Sequence, residues 1–309
     1  MNKVKENIKN NYSLPNNFRL SLLREGPDNN VYVVTNPKGK KRMVIRVNKR
    51  GIENDVRFEI LWLVELDTHG VPVPKVIKTK YGDNFFIDQN QVYVAFKYIQ
   101  GKHLDLTHKT EPSLKKIKNA AFALAQLHNA SLKIDLVLPS KRTILTEINR
   151  GLEIRDKLIQ SSEGGKKFVD ELLFYQQWAK KNSNKKYLVH NDYRVGNVFF
   201  EGEQVKSILD FDWACKGPAI KDVAHSLVEW SFPDGTTEPN QKVFDTFLAG
   251  YNQEAKNKIK LNSTLRNWIC FSCLSDTATY FSDLAQENIF KKISSSYMYK
   301  KFEYFHDLL

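Results

Sequence analysis

The sequence predicts an α+β protein in two lobes: a small antiparallel sheet with one helix over residues 1–99, and a larger, mostly helical lobe over 100–309. Three observations carry that reading. Short β-branched and alternating runs, separated by turn residues, crowd the first hundred positions. Beyond Gly101 the apolar residues fall at spacings of three and four instead. A carboxylate-rich ribbon of short strands, 188–214, interrupts that helical tract.

Taken in order, the first dozen residues read only as a polar tract. The runs 18–24, 30–35 and 42–48 form a meander, with Asn36-Pro37-Lys38-Gly39 as the turn between the second and third. The polar connection 25–30 has backbone amides that could cover phosphates, but its single glycine fits an ordinary turn equally well. Residues 53–69 carry Val56, Ile60, Leu63 and Val64 at helical spacing; Gly70 ends that helix and Val71-Pro72-Val73-Pro74 forces an extended exit. Strands at 85–88 and 91–99 follow, and Gln100-Gly101 breaks the run, which places the lobe boundary near residue 99. Ser113 caps an amphipathic helix over 113–129 whose alanines predict close packing. Further helices are expected at about 143–160, 166–182, 218–230, 239–256, 262–285 and 287–307.

Composition narrows the classes. A chain of 309 residues, 41% hydrophobic, buries a sizeable core. The net charge of +12 sits on scattered lysines, as on a solvated face; an anionic partner is the alternative, and a nucleotide fits it, whereas nucleic acid is not the expected partner. No apolar run approaches the roughly 18 residues that span a bilayer, and the N-terminus lacks a signal-like apolar region, so no membrane contact and a cytoplasmic location are expected. Cys215, Cys270 and Cys273 are too few for a disulfide framework, and the lone CxxC reads as structural.

The chemistry concentrates in the ribbon. Strands at 187–189, 198–200 and 205–209, with a turn at 201–204, put Asp192 and Asn197 in one loop and Asp210 and Asp212 at the start of the next. Asn197 and Asp210 can offer oxygens to one hard cation such as Mg2+ while Asp192 remains to orient an attacking hydroxyl. A nucleoside triphosphate needs that division of labour. Arg194 can reach the same cavity and neutralise charge on the transferred phosphoryl group. His190, behind two apolar residues, reads as an anchor for the loop backbone. Asp222, in the first turns of the next helix, either braces that loop through backbone amides or simply favours the helix N-terminus.

The segments HNDYRVGN and LDFDWA, with KDVAHSL beginning eleven residues after Asp210, resemble the catalytic block of the aminoglycoside phosphotransferase, choline kinase and type II homoserine kinase superfamily, small-molecule relatives of protein kinases. MVIRV, and FEILWLVELDTHGVPVP with its glutamate, agree with the same family's N-terminal lobe. The resemblance covers nearly the whole chain and implies a protein-kinase-like fold, with a nucleotide-binding lobe at 1–99 and a catalytic, acceptor-binding lobe at 100–309. It places Arg46 at the α/β-phosphate position, Glu59 as its ion-pair partner, and the backbone near Lys97 and Ile99 against the adenine. Asp192 becomes the catalytic base, Asn197 and Asp210 the magnesium ligands, and Asp212 a second acid beside the metal. Glu229, Asp234 and Asp276 are candidates to hold an amine on the acceptor.

The implied activity is transfer of the γ-phosphoryl group of ATP, with GTP as the other possible donor, to a hydroxyl of a small molecule such as homoserine, choline or an aminoglycoside-like compound, by a monomer or homodimer. Two rivals are a bacterial protein kinase of stress-response type, favoured by Arg194, and a non-catalytic binding module on the same fold. The nine residues between Asp212 and Asp222 are too few for a long peptide-docking loop, and intact Asp192, Asn197 and Asp210 argue against the module.

Overall fold

A computed structural model describes residues 1–26, 29–49, 53–104, 113–136, 142–232 and 236–308. Asp234 and the middle of the 25–30 connection fall outside that set. The described chain divides into two compact units. The first holds Met1–Gly101, Leu136 and Lys206–Asp212; the second holds Lys102–Asp135, Arg142–Val205 and Trp213–Leu308.

The first unit begins with α1 (Asn2–Asn11), where the sequence reading has only a polar tract. Val4, Ile8 and Tyr12 lie four apart in that tract, so a helix aligns them on one face. The face packs on the sheet core of Tyr32, Val34, Met43, Ile45, Val47, Tyr93 and Ala95. Asn7 adds a hydrogen bond of 2.8 Å to Asp88. Strands β1 (Arg19–Glu25), β2 (Asn29–Thr35) and β3 (Lys41–Asn48) form the expected meander. Helix α2 (Glu53–Thr68) ends before Gly70, whose φ of 75° is the left-handed conformation a glycine adopts without steric cost.

Strands β4 (Val76–Ile77), β5 (Phe85–Asp88) and β6 (Gln91–Lys97) complete an antiparallel sheet of order β1-β2-β3-β6-β4, with β5 also on β6. The two-residue β4 is too short to carry a period-two signal. Along β3, Met43, Ile45 and Val47 are buried in the core, so strand alternation carries Arg46 to the opposite face.

In the second unit, Ser113 caps α3 (Leu114–Ser131) by accepting from the Lys116 amide. The expected helix 143–160 is two helices, α4 (Thr146–Glu153) and α5 (Arg155–Ser161), broken at Ile154. Helix α6 (Gly165–Asn182) takes α5, while Gly151 brings α4 so close to the core that a Cβ there would lie 2.7 Å from that of Ala278. Next come β7 (Tyr187–Val189), β8 (Val198–Glu201), the turn at Gly202 and β9 (Gln204–Ile208), whose last three residues belong to the first unit. Strand β10 (Cys215–Gly217) pairs antiparallel with β7, and α7 (Ala219–Ser231) and α8 (Gln241–Glu254) follow.

Helix α9 (Ser263–Gln286) is buried nearly all round, with Leu265, Trp268, Phe271, Leu274 and Phe281 each at most 1% exposed. Side chains of that size contribute about 1.5–3 kcal/mol each on full burial. Helices α4, α7 and α10 (Tyr297–His306) pack around it. The last helix starts ten residues later than expected, because Asn288 at φ 55° turns the chain and Ser296 supplies the N-cap. All three cysteines are buried free thiols, and no helix among the described residues is long and apolar enough to cross a membrane.

The alanine face of α3 meets α8 at Gly250, where an added Cβ would sit 2.7 Å from the backbone carbonyl of Lys118. Backbone cannot yield as a flexible side chain can. Gly250→Ala is therefore expected to cost about 1–3 kcal/mol, read as a lowered urea midpoint with an unchanged slope.

Candidate active site

A buried carboxylate shapes the loop after β7. Asp222, in the first turn of α7 and 0% exposed, accepts from the backbone amides of His190 at 2.6 Å and Asn191 at 2.8 Å, and from Nε2 of His128 at 3.1 Å. Burial alone would raise its pKa, but His128, His190 and Lys221 more than offset this and hold it down at about 2. Asn191 sits at φ 67°, a conformation an Asn tolerates when its surroundings enforce it. Those surroundings are Asp222 on its amide and the buried Lys221 ammonium on its Oδ1. His190 is an anchor, its Nδ1 accepting from the Asp192 amide at 3.3 Å. Below the loop Tyr193 is fully buried, donates to the Ala120 carbonyl at 2.7 Å and stacks on Trp230.

Asp192 is thereby presented at the end of a braced loop. Its Oδ2 accepts from Asn197 Nδ2 at 2.8 Å and lies 3.3 Å from Arg194 Nε. Its Oδ1 faces His225 Nε2 at 3.7 Å. Burial pushes this carboxyl up, yet His225, Arg194 and His190 together leave it below its ordinary value, so it is ionised at neutral pH. Because the Asn197 amide nitrogen is committed to Asp192, its carbonyl oxygen is the group with which it could meet a cation.

The first unit assembles the second set of predicted residues. Arg46 of β3 forms a two-pronged ion pair with Glu59 of α2, one bond measuring 2.9 Å, and donates to Asp212 Oδ1 at 3.0 Å. Asn29 holds Asp212 Oδ2 at 2.9 Å. Burial disfavours charge on Arg46, but Glu59, Asp212 and Asp210 overcome it and keep the guanidinium charged. The same burial pushes the Glu59 carboxyl up, against the pull of Arg46. Asp210 is exposed at φ 61°.

Asp212, placed beside a metal by the resemblance, has both oxygens engaged by Arg46 and Asn29. The Lys97 amide, in the backbone stretch expected near an adenine, donates to the Lys75 carbonyl at 2.9 Å. Of the three amine candidates, Asp276 lies 3.7 Å from His225 Nδ1, Glu229 acts on the same groups electrostatically, and Asp234 is outside the described residues.

Sequence reasoning missed three members of this region. His225 stands one turn beyond Asp222 in KDVAHSL, on the same helical face, a spacing that could have flagged it. Lys221 and Glu147 carry no such signal: Glu147 comes from α4, is 7% exposed, and its Oε2 lies 3.9 Å from Lys221 Nζ with no hydrogen-bond partner. Asp276 is raised above the carboxylate range by burial, helped by Glu147 and Glu229 and opposed by His225. His225 is raised, burial opposing the charge but Asp276 and Asp192 prevailing.

The Asp222 shift makes a stability prediction. A carboxyl held at about 2, against 3.8 ordinarily, contributes about 2–3 kcal/mol above pH ~4 that is lost as pH falls through about 2. Asp222→Asn is expected to lose about 2–4 kcal/mol at pH 7, and its denaturation midpoints should fall less steeply than the wild type's between pH ~4 and 2.

Several known proteins share this architecture. A homoserine kinase of Pseudomonas aeruginosa (strain LESB58) is 25% identical over 225 residues, 70% of this chain; the chain spans 66% of the length of that relative. Amicoumacin kinase hAmiN in complex with AMP-PNP, Ca2+ and Ami superposes with a TM-score of 0.73 at 15% identity, covering 100% of this chain and 97% of its own. A microcompartment-associated aminopropanol kinase gives 0.61 at 17% identity, covering 98% and 95%. Residues 19–257 match the phosphotransferase enzyme family, well over half of the chain, and the protein belongs to that family.

Proposed function

We propose that the protein transfers the γ-phosphoryl group of ATP, with Mg2+, to the hydroxyl of a small amino alcohol of the homoserine or choline type. The observation that carries this reading is the ionised Asp192 carboxylate, held at one oxygen by Asn197 and Arg194 at the end of a loop braced by Asp222. With Oδ2 so fixed, Oδ1 is the oxygen available to orient the acceptor hydroxyl and take its proton as the oxygen–phosphorus bond forms.

The donor set fits a hard cation. Among the described residues no group of three or more His, Cys, Asp or Glu side chains gathers into a metal cage. Magnesium bound through one or two protein oxygens and the phosphates of its nucleotide needs none. We assign it to Asp210 and the Asn197 carbonyl oxygen, and leave Asp212 to Arg46. Bound there, the metal would neutralise charge on the phosphate oxygens. Arg46 bears on the phosphates while Glu59 holds its guanidinium plane, and Arg194, half exposed beside Asp192, offers charge to the transferred group.

For the acceptor, Asp276, Glu229 and Glu147 supply three acidic side chains in one region of the second unit beside Lys221 and His225. An acidic surplus next to the base suits a substrate carrying an ammonium group. The names of two relatives, a homoserine kinase and an aminopropanol kinase, point to hydroxylated amines as well.

In an ATP-consumption assay against amino alcohols, amino acids, aminoglycosides and sugars, an amino alcohol should give the highest kcat/KM. Asp192→Asn is expected to lower kcat by about 10³-fold with KM for ATP nearly unchanged; unaltered turnover would sink the assignment. Arg46→Ala should instead raise KM for ATP by about tenfold or more, and stabilisation by ATP in a thermal melt should require magnesium.

A further inference from the structure

His225 is 3% exposed, and neither of its ring nitrogens has a hydrogen-bond partner. Each nevertheless faces a carboxylate oxygen at 3.7 Å, Nε2 toward Asp192 and Nδ1 toward Asp276. A neutral imidazole carries one N–H and one lone pair, so with both acids ionised one carboxylate would confront a lone pair beside a ring that is itself buried; a neutral ring is matched only where Asp276 takes up the proton instead. Only the doubly protonated ring presents an N–H to both.

The charged groups around it agree. Asp192 comes from the loop after β7, Asp276 from α9, Glu147 from α4, and Lys221 and Glu229 from α7 itself. Lys221 is the opposing charge, and its ammonium is bonded to Asn191. Burial also opposes charge on the ring, but the two facing carboxylates prevail and raise its pKa.

Resting on the assignment of Asp192 as the base, we propose that His225 is a positioning residue, an imidazolium that spans Asp192 and Asp276 and so ties the orientation of the base to the acceptor side of the site. With Asn197 and Arg194 fixing Oδ2, the His225 charge stands beside Oδ1, the oxygen that must meet the hydroxyl. The 3.7 Å separation holds that oxygen by charge and leaves its lone pairs for the acceptor. An ammonium arriving at Asp276 competes with His225 for the same carboxylate, so occupancy of the acceptor site is felt at the base.

The test starts with a histidine NMR titration of the full-length protein, the His225 resonance being identified by its loss in His225→Asn. The ring should remain cationic past pH 8, with a midpoint at least one unit above the ordinary value of about 6.5. Asp192→Asn and Asp276→Asn should each lower that midpoint. A midpoint at or below about 6.5, or one unmoved by either substitution, overturns the proposal.

In the kinetic arm, His225→Gln should lower kcat by about 10- to 100-fold with KM for ATP and the melting temperature little changed; an unchanged kcat overturns it as well. Should His225→Gln not fold, the titration decides alone. A wild type that phosphorylates no amino alcohol sinks the proposed function, while the titration still reports whether His225 bridges the two acids.

Discussion

The catalytic half of the protein depends on one buried anion. Asp222 has no access to water, so its charge can be kept only by the donors around it, and two of those are the backbone amides of His190 and Asn191. Satisfying the carboxylate therefore fixes the path of the chain into Asp192. Asn191 takes a left-handed conformation to make the turn, with Lys221 closing the arrangement from one residue before Asp222. The loop is held by a side chain in the first turn of a helix, and Asp192 takes its position from a residue it does not itself touch.

The first unit solves a similar problem in the opposite sense. A buried guanidinium needs anions, and the fork of Arg46 engages Glu59 with two nitrogens while also reaching Asp212. A lysine at the same position, with one point of charge, could not hold both acids with that geometry. The guanidinium charge is thus met by two acids from different parts of the first unit.

Much of this was legible in the sequence, for identifiable reasons. Period-two runs with turn residues between them gave β1, β2, β3 and β5 to within a residue or two, and the 3.6-residue pattern gave α3, α6 and α9. The ion pair of Arg46 with Glu59 followed from the resemblance of MVIRV and FEILWLVELDTHGVPVP to the family's N-terminal lobe, whereas the hydrogen bond from Asn197 to Asp192, two residues expected in one loop with separate tasks, was not foreseen. What escaped was decided by tertiary contact. Helix α1 is polar except where Val4, Ile8 and Tyr12 meet the sheet. The break at Ile154 lets α4 reach α9 as well as α6 while α5 stays on α6, and α10 starts where Ser296 can cap it. His225 and Glu147 are ordinary residues on their own helices and gain chemical interest only through what faces them.

The three thiols give the core a different kind of readability. Cys215, Cys270 and Cys273 are 0% exposed, and burial pushes Cys215 and Cys270 up to about 12 and Cys273 well above its ordinary value, so the reactive thiolate is scarce in the native state. They also sit in separate places, one on the strand beside the braced loop and two on the central helix. A thiol reagent can reach them only when the fold opens, so the rate of labelling counts openings of the interior. The cysteines are built-in clocks for local unfolding, and the order in which they react distinguishes loosening of the catalytic ribbon from loss of the helical core.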